Sequence, residues 1–265
     1  MARDPEPLSP VGGVETVAFA QVPVVATDRV EAARRLIAWL GGRRGASHVH
    51  LVNAYSIALA STDPALSAVF ASGVCLPDGK PLGWIARWLR GVPTFRQVRG
   101  PQLFLDVMDG GRDVGLRHFL LGSTEETLQR LRTELERRYP GVEIVGTHSP
   151  PFRPLTDEDF VAQDSHVLTA APTVVWVGLG TPKQDFEALR IARDLGLPAV
   201  AVGAAFDFTA GVIEPAPEWM SACGLEWFYR LIREPRRLWR RYLFGNLRFL
   251  WVAMRPSSKR FPHDD

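Results

Sequence analysis

The sequence predicts an α/β fold, a Rossmann-like and mostly parallel sheet with helices on both faces, followed by a basic helical appendage. Three observations predict it. Short apolar runs alternate with helix-length amphipathic segments, which is the rhythm of βαβ units. Capping residues and glycines mark where the helices start and stop. The residues just after the apolar runs are glycines and polar side chains, as at the carboxyl edge of open α/β sheets, where ligands collect.

The elements follow in order. A tail to about Pro23 comes first, then Thr27 and Asp28 offer an N-cap for a helix with Val30, Ala33, Leu36, Ile37 and Leu40 at helical spacing, ended by Gly41-Gly42. A strand over 48–52 follows. Pro64–Phe70 reads as helix, Val74–Leu76 as strand, Lys80–Leu89 and Pro101–Met108 as helices. The second half is more regular, with apolar runs at Arg117–Leu121, Glu143–Val145, Thr173–Val177 and Ala199–Val202. Between the first two, Ser123 with Glu126 makes a capping box before Leu128, Leu131 and Leu135, and Pro140-Gly141 stops that helix. Four divisions result: a flexible tail over 1–23, an α/β domain over 24–223, a basic amphipathic appendage over 224–255 and a polar tail over 256–265.

Composition narrows the class. With 265 residues, 46% hydrophobic and 23% charged, the chain can bury a large core, which argues against wholesale disorder. Cys75 and Cys223 lie far apart without partners at metal-ligand spacing, so neither a zinc site nor a disulfide framework is expected, and a reducing cytoplasm fits. The N-terminus is too polar and proline-rich for a secretory signal, and no apolar run approaches the length of a spanning helix. Net charge is only +2, yet Arg230, Arg233, Arg236, Arg237, Arg240, Arg241, Arg248 and Arg255 crowd the last stretch, opposed mainly by Glu226 and Glu234. The basic balance is therefore local.

Several constellations could carry chemistry. Gly178-Leu179-Gly180-Thr181-Pro182-Lys183-Gln184-Asp185 follows a strand and opens a helix, so its glycines let backbone N–H groups approach an anion near a positive helix end. It is not the dinucleotide fingerprint, because Lys183 stands where the third glycine belongs. Tight packing alone would also explain such a turn. Gly203-Ala204-Ala205-Phe206-Asp207-Phe208 places a carboxylate between aromatics after the next strand, either to bind a hydroxyl or to cap a helix. Pro77-Asp78-Gly79 puts another carboxylate at a strand end, in what is by itself an ordinary turn, and Asn53 ends the first strand. Asp157-Glu158-Asp159 has the D-x-D form of a metal-holding pair, but Thr156 as N-cap with acids in the first turn explains it better. His48 and His50 have no acidic neighbour in sequence, so no metal site or triad is built from them.

Taken together these pieces resemble the WecG/TagA/CpsF family of bacterial glycosyltransferases, from about Asn53 to Leu250. The most specific stretches are the run from Val202 to Gly211, Ala216-Pro217-Glu218-Trp219-Met220, and Gly224-Leu225-Glu226-Trp227-Phe228-Tyr229-Arg230-Leu231, with Glu234-Pro235-Arg236-Arg237 and Arg240-Arg241-Tyr242-Leu243 behind them. The resemblance implies one α/β catalytic unit with a C-terminal appendage. It also implies inverting transfer from a UDP-sugar donor to an undecaprenyl-diphosphate-linked acceptor in cell-surface polysaccharide synthesis. N-acetylmannosamine, its uronic acid and glucose are the sugars it leaves open. On this pattern Asp78 is the proposed catalytic base and Gln184 a proposed substrate contact. The sequence departs from the family's common Thr-x-Asn, having Leu51-Val52-Asn53, and from its common Gly-x-Asp-Leu, having Gly100-Pro101-Gln102-Leu103. A hydroxyl and a carboxylate common in the family are thus replaced here.

The expected site is Asp78 as catalytic base, with Asn53, Gly79, Gly178, Gly180, Lys183, Gln184, Gly203, Asp207, Arg230, Arg233, Arg237 and Arg240 binding substrate. No cofactor and no metal are expected, since backbone N–H groups, Lys183 and arginines would stabilise the departing diphosphate. The arginine-rich appendage, which carries Trp227, Leu231, Trp239 and Leu243, would dock to an anionic membrane surface at the inner face of the cell membrane. A homo-oligomer is compatible with the sequence, and nucleic acid is the less favoured partner. Two alternatives stand beside this reading. A non-catalytic basic membrane adaptor leaves the strand-end residues without purpose. A nucleotide-sugar-modifying Rossmann enzyme lacks its dinucleotide fingerprint and its Tyr-x-x-x-Lys pair.

Overall fold

The structure, a computed structural model, describes residues 15–42, 45–214, 216–217, 220, 226–233 and 245–253. It opens with β1 (Thr16–Phe19) and β2 (Val22–Val25), paired antiparallel around a turn in which Ala20 adopts φ 55°. The sequence reading ran the tail on to about Pro23, because Gln21 and Pro23 interrupt the apolar stretch. The hairpin forms because Val17, Phe19, Val22 and Val24 are buried in one apolar cluster, with Phe19 between the rings of Phe95 and Phe249.

The α/β body is built as the apolar rhythm predicts. α1 (Arg29–Gly41) is N-capped by Asp28, which accepts from the Glu31 N–H at 2.9 Å. β3 (His48–Val52), α2 (Ala54–Ala60), α3 (Pro64–Ser72) and β4 (Val74–Pro77) follow. The helix expected over Lys80–Leu89 divides into α4 (Lys80–Trp84) and a wider π-helical turn, Ile85–Leu89. Then come α5 (Gly100–Gly110), β5 (Arg117–Gly122), α6 (Glu125–Arg138), β6 (Glu143–His148), α7 (Asp157–Ala170), β7 (Val174–Gly178), α8 (Lys183–Arg190), β8 (Ala199–Ala201) and α9 (Ala205–Thr209). Helices at Glu226–Arg233 and at 245–253 complete the described residues.

The eight strands form one sheet in the order β1-β2-β4-β3-β8-β7-β5-β6, parallel except for β1 against β2. Strand side chains alternate between its faces. Val49, Leu51, Val74, Leu76, Leu120, Trp176, Val200 and Val202 pack with residues of α1, α5 and α6 on one face. Cys75, Phe119, Leu121, Val175, Val177, Ala199 and Ala201 face the opposite way, under α3, α7, α8 and the helix at 245–253. Both faces are thus covered, and these interior strands read as continuous apolar runs for that reason.

One helix start is corrected. Thr124, not Ser123, caps α6, accepting from the Thr127 N–H at 3.2 Å, because Ser123 adopts φ 56° and turns its hydroxyl elsewhere. Thr156 caps α7 as expected, accepting from the Asp159 N–H at 3.3 Å, and the structure adds a return bond from the Thr156 N–H to the Asp159 carboxylate at 2.8 Å. Among the described residues, no helix is long and apolar enough to cross a membrane.

Candidate functional site at the carboxyl edge of the sheet

Parallel strands bring their carboxyl ends to one edge, and the polar turns flagged in the sequence fall there in two groups. The first lies where β3 and β4 end. Val52 and Pro77 are partners in register, and the Asp78 N–H donates to the Val52 carbonyl at 2.7 Å. That bond sets the half-buried Asp78 beside Asn53. Asn53 Oδ1 caps α2, accepting from the N–H groups of Tyr55 at 3.0 Å and Ser56 at 3.2 Å. Gly79 takes φ 143°, which side-chain-bearing residues rarely adopt, and this lets the chain turn from Asp78 directly into α4.

The second group lies at the ends of β5, β7 and β8. A Cβ on Gly122 would stand 2.5 Å from the Gly178 carbonyl oxygen, and one on Gly178 would stand 2.7 Å from the Phe206 ring. The two glycines therefore let α9 lie across the strand ends. Ser123 Oγ donates to Asp207 Oδ1 at 3.3 Å, while Ser149 Oγ donates to the Ser123 carbonyl at 2.8 Å. Asp207 thus lies within α9 and bonds across to Ser123, in the turn just after β5, instead of capping its own helix, whose N-cap is Ala204.

Gln184 joins the two glycine turns. Its Oε1 accepts from the N–H groups of Gly180 and Gly203, both at 3.0 Å, and its Nε2 donates to Thr181 Oγ1 at 3.4 Å. With only 2% of its surface exposed, it sets the conformations of both turns from beneath. Gly180 (φ 77°) and Gly203 (φ 61°) supply the left-handed backbone that this double bond requires. Lys183, the first residue of α8, is exposed, with Nζ 6.0 Å above the Phe152 ring.

The head of α5 sits between the groups. Val98 N–H donates to the Pro77 carbonyl at 2.7 Å, and a Cβ on Gly100 would come within 3.2 Å of the Val202 carbonyl oxygen. No side chain caps the first turn of α5, where Gln102 carries a buried Oε1 without a hydrogen-bond partner. Leu51, the residue standing for the family's threonine, is buried on this face at 3.6 Å from the same Gly100 position.

Sequence reasoning did not find a buried polar chain behind α8. His50 Nδ1 lies 2.9 Å from Asp185 Oδ1, and His50 Nε2 lies 2.7 Å from His48 Nδ1. Burial, with the neighbouring His50 second, holds His48 far below the ordinary histidine range, at about 3. The acid partner is 135 residues from His50 in sequence, which hid the pair. The one available signal was an aspartate directly after Gln184 on a helix that packs on β3. Of the acidic triplet heading α7, Asp159 is held locally, accepting from Arg153 at 3.0 Å and from the Thr156 N–H at 2.8 Å, and the Arg153 bond first of all lowers its pKa to about 2.

Arg233 is exposed, and its Nη2 donates to Glu214 at 2.7 Å and to the Tyr229 hydroxyl at 3.0 Å. The Arg230 side chain, Arg237 and Arg240 lie outside the described residues.

The edge thus holds a carboxylate in a strand-end turn and a pair of glycine turns locked by one amide. Residues 17–262 match the model of the glycosyl transferase WecG/TagA/CpsF family. The chain is similar to N-acetylglucosaminyldiphosphoundecaprenol N-acetyl-beta-D-mannosaminyltransferases. With that of Bacillus spizizenii it is 33% identical over 187 residues, covering 69% of this chain and 70% of that protein. With that of Bacillus subtilis it is 31% identical over 175 residues, covering 65% of each. On the family match over nearly its whole length, and with the strand-end turns in place, the chain belongs to the WecG/TagA/CpsF family of glycosyltransferases.

Proposed function

We propose that the chain transfers a sugar, N-acetylmannosamine first among the candidates, from a UDP-sugar to a saccharide linked to undecaprenyl diphosphate, with inversion and without a metal ion. The observation that carries the reading is the convergence at one sheet edge of Asp78 and the Gln184-locked glycine turns. The names of the two Bacillus relatives support this choice of acceptor and sugar.

Inversion in one displacement needs a carboxylate on the acceptor side to take the hydroxyl proton as the new glycosidic bond forms and the bond to UDP breaks. Asp78 is assigned that role. The electron pair leaves with the UDP diphosphate, whose growing charge falls to Lys183, to arginines of the appendage and to backbone N–H groups of the Gly178–Gly180 turn other than that of Gly180, which Gln184 already holds. Gln184 then acts mainly as a positioning residue, since both lone-pair directions of its Oε1 are spent on backbone. Asn53, Gly79, Gly203 and Asp207 shape the walls, with the Asp207 carboxylate held by Ser123 and facing substrate hydroxyls.

The test is Asp78→Asn, in UDP release with a polyprenyl-diphosphate-linked acceptor. Loss of a general base lowers turnover about 10²–10⁴-fold with little change in melting temperature. Retained turnover removes Asp78 from the mechanism.

A further inference from the structure

The head of α8 carries the amide that locks the glycine turns, yet it starts without a side-chain cap: its N-cap is Pro182. Helix ends fray where nothing holds them. Two consecutive side chains of this first turn point inward, Gln184 at 2% exposure and Asp185 at 1%. Gln184 reaches the two turns, and Asp185 reaches the sheet. Asp185 Oδ1 accepts from His50 Nδ1 at 2.9 Å. Its other oxygen is buried and finds no partner among the described residues, so the bond to His50 is what holds this side chain.

His50 is a rigid post for that bond. It is fully buried in the middle of β3, its Nε2 lies 2.7 Å from His48 Nδ1, and its ring meets Phe70 edge-on at 5.2 Å. Both ring nitrogens are therefore engaged. β3 is itself paired with β4 on one side and β8 on the other, and the register partner of His50 on β8 is Ala201, two residues before Gly203. The bond from His50 thus refers the head of α8 to the same strand pair that ends in the Gly203 turn.

A stabilising role alone does not account for this placement. Burying an ionisable pair costs desolvation that offsets much of its attraction, and apolar packing would hold the helix as well. The middle of α8 is already tied to α7: Glu187 accepts from Gln163 Nε2 at 2.6 Å and from Arg190 Nη2 at 2.8 Å, and Arg190 also donates to Asp164 at 2.7 Å. What that network leaves unfixed is the first turn. A hydrogen bond sets distance and direction there, which apolar contact does not.

We propose that His50 and Asp185 are positioning residues of the donor site: their bond sets the height of the first turn of α8 against β8, so that the Gln184 amide meets the Gly180 and Gly203 N–H groups together. The inference deepens the proposed reaction and rests on it at one point, the assignment of the Gly178–Gly180 turn to the donor diphosphate. Both residues lie beneath the turns and act through Gln184.

Three variants of the full chain test it: Asp185→Ala, Asp185→Asn, and Glu187→Ala as a control on the same helix. Asparagine keeps an acceptor oxygen for the His50 Nδ1–H and serves as the rescue. The readouts are the melting temperature, hydrogen exchange at the Gly180 and Gly203 amides, and UDP affinity by calorimetry. Both alanine variants should melt below wild type. Only Asp185→Ala should speed exchange at the two glycine amides and weaken UDP binding, by about tenfold, the equivalent of one hydrogen bond. Asp185→Asn should recover most of both losses. Should Asp185→Ala not fold, His50→Leu/Asp185→Ala removes both partners, leaves neither buried alone, and is read in the same way. Unchanged glycine exchange and UDP affinity in the variant without the bond overturn the proposal. Equal losses in Asp185→Ala and Glu187→Ala also overturn it, since they would reduce the pair to a general stabiliser. A wild type that does not bind UDP, with the glycine amides still released by Asp185→Ala, contradicts the donor reading and leaves the lock standing.

Discussion

Replacing Gln184 by alanine removes the single acceptor on which the Gly180 and Gly203 N–H groups converge, both at 3.0 Å. A typical intramolecular hydrogen bond contributes about 1 kcal/mol net, so two give a loss of about 2 kcal/mol. The Gly180 turn is exposed and its N–H can find water, which keeps the figure from rising to the cost of two buried orphans. For a chain of this size that loss lowers the melting temperature by roughly 4–8 °C. The larger effect falls on activity, since a shift of about 1 Å in a positioned group can cost about 10²-fold. Gln184→Glu separates the two effects: it keeps an acceptor for both N–H groups and so restores most of the stability. It also adds a negative charge under a turn assigned to diphosphate, and UDP-sugar use stays poor. The assays are a thermal melt and kcat/KM for the UDP-sugar on all three proteins. An alanine variant with unchanged melting temperature and unchanged kcat/KM refutes the locking role. Full activity in the glutamate variant refutes the assignment of the turn to an anion.

Gly178→Ala puts a methyl group 2.7 Å from the Phe206 ring; overpacking of this kind costs about 1–3 kcal/mol and displaces α9, and Phe206→Leu in the same chain should recover part of the loss in a denaturant melt. His118 is fully buried and takes the Trp176 Nε1–H at 3.0 Å, and burial lowers its pKa from 6.5 to about 4. With a folded-state value below the unfolded one, its contribution is complete above pH 6.5 and is lost as pH falls toward 4, by about 2 kcal/mol at pH 5. His48 adds in the same direction. Urea melts at pH 7 and pH 5 check this, and equal midpoints would contradict it. Asp185→Asn weakens a buried bond to His50 that a charged acceptor makes worth about 1.5–3 kcal/mol, and a melt unchanged from wild type would show the pair to be idle.

How far the sequence discloses this molecule depends on how local each feature is. Interior strands such as Val174–Gly178 announce themselves because both faces are covered and every residue is apolar. The strand-end turns were visible for the same reason, as glycines and carboxylates at the close of each run. The β1–β2 hairpin was missed because its alternation is only four residues long on each side and is crossed by Gln21 and Pro23. The start of α6 was misplaced by one residue because Ser123 answers to Asp207, 84 positions away, and not to its own helix. Gln184 was recognised as a site residue, but its role as a bridge between two turns needs the β7–β8 pairing to bring Gly203 beside it. Arg90 is the same case. It reads as one more surface cation, yet it ties together β1, α4 and a helix 163 residues onward.

The central claim is acceptor-dependent glycosyl transfer, and the most direct measurement is UDP release by purified protein from a panel of UDP-sugars. It is run with and without a short-chain polyprenyl-diphosphate-linked N-acetylglucosamine, each in the presence and absence of EDTA. Release that requires the acceptor, persists in EDTA and is strongest with UDP-N-acetylmannosamine is the expected result. Silence with every donor, or release that proceeds equally without acceptor, would contradict the account.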